Sequence, residues 1–107
     1  MSQKIVFMGT PEFSVPTLDS LVNSEHEILT VYSQPASKAN RGQKVIPSSV
    51  EIFAKKKSLN IRTPKKLDTD EEYNFLKKIN ADIVIVVAYG KIIPKRFLNL
   101  PKNGFIN

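Results

Sequence analysis

Six consecutive apolar residues, Ile83-Val84-Ile85-Val86-Val87-Ala88, admit few structural environments. A strand with one wet face would alternate polar and apolar side chains, and this run does not alternate. It is rich in β-branched residues and far too short to cross a bilayer. Such a run predicts a strand buried on both faces, as in a parallel sheet covered by helices. Tyr89-Gly90-Lys91 then leaves the carboxyl end of that strand, the edge where open α/β sheets hold their ligands. A second apolar pair, Phe105-Ile106, is followed by Asn107, where the sequence stops. A domain seldom finishes on a buried strand, so these 107 residues are expected to be a fragment of a longer protein.

The rest of the chain alternates in the same sense. Lys4 to Met8 reads as a strand closed by Gly9, after which Thr10 suits an N-cap, Pro11 a first helical position and Glu12 the helix dipole. Phe13, Val15, Leu18, Leu21 and Val22 recur at helical spacing. Ile28 to Tyr32 is a second strand, and a helix from Pro47-Ser48-Ser49 to about Ser58 leads to a short third one, Leu59 to Arg62. Acidic residues from Asp68 to Glu72 open another helix that ends in Lys77-Lys78 and Asn80. The long apolar run is the fourth strand, Pro94 to Leu98 a helical turn, and Gly104 to Asn107 the fifth strand. Right-handed crossovers then give an α/β fold, a Rossmann-like doubly wound parallel sheet of about five strands in the order 3-2-1-4-5.

The sequence contains no cysteine, which excludes disulfides, thiolate metal sites and cysteine nucleophiles; no metal site is expected. The amino terminus lacks the apolar length of a signal peptide, so a cytoplasmic location is expected. His26, the single histidine, precedes the second strand and falls at the sheet edge opposite the presumed site, a poor place for a catalytic base. The turn after the first strand lacks Gly-x-Gly-x-x-Gly, which argues against a dinucleotide loop, yet Gly9 and Thr10 put backbone N–H groups where an anionic group can bind. Charge is concentrated in residues 34–66, where nine Lys or Arg face Glu51 alone. Within this block Ser33 to Ile46 reads as a polar loop carrying Lys38, Arg41 and Lys44. It is either an arm that grips phosphates or a solvated loop, and composition leaves both open.

Three motifs occur in order: Phe7-Met8-Gly9-Thr10-Pro11-Glu12-Phe13; Gln34-Pro35 with Arg41-Gly42, Lys44 and Pro47-Ser48; and Val86 to Pro94 followed by Leu100-Pro101 and Gly104-Phe105-Ile106-Asn107. Together they resemble the amino-terminal part of the methionyl-tRNA formyltransferases, a folate-dependent family. The resemblance runs from Lys4 to Asn107 and corresponds to about the first third of such an enzyme. It implies that residues 1–107 are the N-terminal part of a formyltransferase domain, with the remainder of that domain and a C-terminal tRNA-binding domain absent. The implied activity is transfer of a formyl group from 10-formyltetrahydrofolate to the amino group of initiator methionyl-tRNA, in translation initiation. Asn107 matches the first member of the family's Asn–His–Asp constellation, whose other two members lie beyond this chain, so the fragment is expected to be inactive alone. Ala88, Tyr89, Gly90, Lys91 and Ile92 match the folate pocket wall, with backbone groups meeting the pterin and Ile92 packing on it. The basic loop matches the segment that enters the tRNA acceptor stem, with Arg41 at the key position. That tilts the open question of the loop towards binding, with Lys38, Lys44, Gly9 and Thr10 on the same tRNA side. Ala36, Ser37, Lys38 and Asn40 depart from the common family pattern. A monomer with no membrane association is expected. The alternatives are formyl transfer to a small amine, such as a sugar amine or glycinamide nucleotide, and a non-catalytic folate- or nucleotide-binding module.

Overall fold

The computed structural model describes residues 2–39 and 44–107. Five parallel strands form the sheet: β1 (Lys4–Gly9), β2 (Glu27–Tyr32), β5 (Ile61–Arg62), β6 (Ile83–Val87) and β7 (Phe105–Ile106). Their spatial order is β5-β2-β1-β6-β7, with every pairing parallel. This is the expected 3-2-1-4-5 arrangement once a separate antiparallel ribbon, β3 (Ser37–Ala39) and β4 (Lys44–Ile46), is set aside.

Alternation along β1 explains the two-layered core. Val6 and Met8 join Tyr32, Leu76, Val84, Tyr89 and Phe97 on the face covered by α3 (Asp70–Ile79). Phe7 turns to the other face and meets Leu18 of α1 (Val15–Val22) with Val50 and Ala54 of α2 (Ser49–Lys56). Both helices after α1 start on capping hydroxyls: Ser48 accepts from the Glu51 N–H, and Thr69 from the Glu72 N–H. Asn80 closes α3 in the left-handed region, at φ 53°. His26 lies at the amino edge, where its Nδ1 accepts the Gln3 N–H at 2.9 Å, so it is a turn residue as its position predicts.

Four expectations need correction. Thr10 caps no helix: a 3-10 turn, Glu12–Ser14, intervenes, and α1 begins only at Val15, with Pro16 harmlessly in its first turn. The Thr10 hydroxyl is drawn away by tertiary bonds described below. The loop from Ser33 to Ile46 is partly ordered as the β3–β4 ribbon. The third strand shrinks to Ile61–Arg62. Finally, β6 is less enclosed than its composition predicts: Val84 is fully buried and its neighbours are half-buried. Its partner β7 is two residues long and shields little of that side.

Candidate functional site

The chain leaves β6 through a backbone that other segments hold by its carbonyl groups. Ser14 Oγ donates to Val87 O at 2.7 Å, Thr10 Oγ1 to Tyr89 O at 2.6 Å, and Gln34 Nε2 to Gly90 O at 2.9 Å. The Gln34 N–H closes the set by donating to Thr10 Oγ1 at 3.2 Å. Two residues here occupy the left-handed region, Ala88 at φ 52° and Gly90 at φ 94°. For alanine that conformation costs on the order of 1 kcal/mol, which the surrounding bonds must offset. A Cβ on Gly90 would stand 2.6 Å from Gln34 Nε2. The Tyr89 side chain points inward and is buried, edge-on to Tyr32 at 6.4 Å between centroids. Its hydroxyl has no partner among the described residues, and burial, followed by the charge of Glu72, pushes its pKa up. Ile92, by contrast, is 91% exposed. Lys91 is tied down, its Nζ donating to Lys65 O at 2.6 Å.

A buried polar cluster underlies this exit. Tyr32 Oη donates to Glu72 Oε1 at 2.6 Å, and Arg62 forks onto both oxygens of the same carboxylate at 2.9 and 3.0 Å. The Arg62 guanidinium also lies 3.9 Å from the Phe75 ring centre. Burial pushes the Glu72 pKa up, but the hydrogen bonds from Arg62 and Tyr32 outweigh it, and the net shift is downward. The hydrogen bond to Glu72 raises Arg62 in turn. Tyr32 is raised chiefly by burial. Glu72 is thus a fixed anion, unsuited to proton transfer at neutral pH.

Beside the exit, at the same carboxyl edge, lies a cleft of about 330 Å³ lined by Thr10, Pro11, Gln34, Ser37, Ile46 and Ser48 among others. The ribbon forms one of its sides. Lys38 pairs with Val45, and Ser37 with Ile46, so Lys38 and Lys44 emerge from opposite faces of the ribbon. Ser37, Ile46 and Lys44 share the cleft-side face, while Lys38 lies on the outer face with the exposed Val45. Arg41 lies outside the described residues. Asn107 follows Ile106, whose partner is Ile85, so it stands level with Val86 on the carboxyl half of β6, exposed. Gly9 serves packing: a Cβ there would lie 2.8 Å from both Val87 O and the Phe7 ring.

The formyl transferase family model matches residues 3–107. The chain belongs to the formyl transferase family. It is 54% identical over 108 residues to a methionyl-tRNA formyltransferase of Pelagibacter ubique, covering 100% of this chain and 35% of that one. It is 48% identical over 104 residues to a methionyl-tRNA formyltransferase of Jannaschia, covering 97% of this chain and 35% of that one. The chain thus spans about a third of the length of the curated relatives it matches. A crystal structure of phosphoribosylglycinamide formyltransferase from Anaplasma phagocytophilum shares the fold, with a TM-score of 0.62 at 19% identity, over 92% of this chain and 45% of that one. Among the described residues of this formyl transferase chain, no group of acidic or histidine side chains is placed to hold a metal ion. No described helix is long and apolar enough to cross a membrane. Sequence reasoning missed Ser14 and Gln34, and it read Glu72 only as a helix-start acid. The one available signal was the Gln34-Pro35 pair already noted in the second motif.

Proposed function

We propose that this chain is the N-terminal part of a formyltransferase domain that moves a formyl group from 10-formyltetrahydrofolate to the amino group of initiator methionyl-tRNA in the cytoplasm. The observation that carries the reading is the parallel pairing of β6 with β7. It sets Asn107 level with Val86, on the half of β6 that leads into residues 88–92, and so supports this reading in a member of the family. The wall suits a planar, hydrogen-bonding heterocycle. The Gly90, Lys91 and Ile92 N–H groups have no acceptor among the described residues, and the Ile92 side chain offers an open aliphatic face. The folate, when bound, supplies the formyl group.

In this reading the Asn107 carboxamide donates to the formyl oxygen as the amine adds and negative charge develops. Losing such a donor raises a barrier by about 3–4 kcal/mol. Lys44 and Lys38, with Arg41, attract the tRNA phosphates, Lys44 from the cleft side. Gly9 and Thr10 belong to the tRNA side of the site, with Thr10 lining the cleft. The protein works as a monomer, free of membranes.

The test is a chimera in which residues 1–107 replace the matching stretch of the Pelagibacter relative. Formylation of methionyl-tRNA should persist, and Asn107→Ala should lower kcat by about 10²–10³-fold. Transfer to small amines with none to methionyl-tRNA would overturn the acceptor. Full activity in the Asn107 variant would overturn the site.

A further inference from the structure

We propose that Thr10 and Gln34 are positioning residues that orient the two peptide planes of the donor-binding wall, an inference that rests on the folate reading above. Each trans peptide is planar, with its C=O and N–H pointing in opposite directions. Thr10 Oγ1 holds Tyr89 O at 2.6 Å, so the N–H of Gly90, in the same plane, points away from Thr10. Gln34 Nε2 holds Gly90 O at 2.9 Å, so the Lys91 N–H points away from Gln34. Neither N–H finds an acceptor among the described residues.

The result is a pair of neighbouring donors whose direction is set from behind, by side chains that need touch no ligand. They suit a ligand edge carrying carbonyl or ring-nitrogen acceptors. Thr10 is the centre of the device, because its hydroxyl donates to Tyr89 O while accepting the Gln34 N–H at 3.2 Å. Rotating either plane would break one of these bonds.

Thr10→Val keeps the shape and removes both bonds, Thr10→Ser restores the hydroxyl, and Gln34→Met removes the Gly90 bond alone. The first measurement is amide NMR on the 107-residue chain. The Gly90 and Lys91 N–H signals should shift in Thr10→Val and return in Thr10→Ser. The second is steady-state kinetics in the chimera. There KM for 10-formyltetrahydrofolate should rise about tenfold in Thr10→Val, and Thr10→Ser should recover it. If Thr10→Val does not fold, Gln34→Met carries the same test at Lys91. Unmoved amide signals would overturn the positioning role. Moved signals with an unchanged KM would overturn its link to the donor. A wild-type chimera that transfers no formyl group would overturn the folate reading instead, with the amide result still standing for the peptide planes.

Discussion

The exit of β6 and the β3–β4 ribbon share one edge of the sheet and are held in place by different means. At the exit, three carbonyls within four residues are capped by side chains from two other segments, and Tyr89 is anchored in the core. Each of those carbonyls can turn only by breaking a hydrogen bond. The ribbon has three residues per strand, and its Lys38, Lys44 and Val45 are exposed. Two strands alone are marginally stable. The contrast matches what the proposed function asks of each region. A small flat ligand rewards groups fixed to a fraction of an ångström, whereas a polyanion rewards charge that can reach it.

Substitutions can break or sharpen this contrast, starting with the severest. Gly9→Ala drives a methyl group against Val87 O and the Phe7 ring, both at 2.8 Å, and should cost about 3 kcal/mol in urea denaturation. Removing the base of the wall comes next. Glu72→Ala strands the Tyr32 hydroxyl and the partly exposed Arg62, and should cost about 2–3 kcal/mol. The same carboxylate sets an acid limit. Its pKa is lower in the folded state than the ordinary 4.5, so its contribution is complete above that value and is lost as pH falls through it towards the depressed folded pKa. Denaturation midpoints measured down that range should fall in the wild type, and fall less in Glu72→Gln. Gly90→Ala is milder, about 1–2 kcal/mol from φ 94°, because the Gln34 side chain it meets can swing aside. Smallest of all, Lys38→Ala should change stability by less than about 0.5 kcal/mol. In filter binding of initiator methionyl-tRNA it should make the salt dependence shallower by about one unit or less. Lys44→Ala, on the cleft side, should weaken binding more than Lys38→Ala does.

The sheet was legible because its information is local. The run from Ile83 to Val87 and the strand from Ile5 to Met8 each carry enough apolar surface to declare themselves, and connection rules supply the order. The ribbon was not legible, since Ser37-Lys38-Ala39 and Lys44-Val45-Ile46 lack alternation and are shorter than any reliable pattern. Thr10 was misread for a related reason. A threonine before Pro-Glu fits a cap locally, but its actual partner is 79 residues away, and only the folded sheet brings Tyr89 O within reach. Ser14 gave no signal and Gln34 only the motif it shares with Pro35, because amides and hydroxyls in loops look alike until their acceptors are known. Glu72 does occupy the acidic first turn that was expected, yet its burial against Tyr32 and Arg62 depends on three separate elements.

The crowding at Gly9 bears on how sequences of this kind should be compared. In this chain any side chain at that position would meet a neighbouring carbonyl and an aromatic ring, a constraint set by the approach of β1 to β6 and not by a ligand. An unvarying glycine there would be a record of spacing between strands, and enzymes with quite different acceptors would carry it alike.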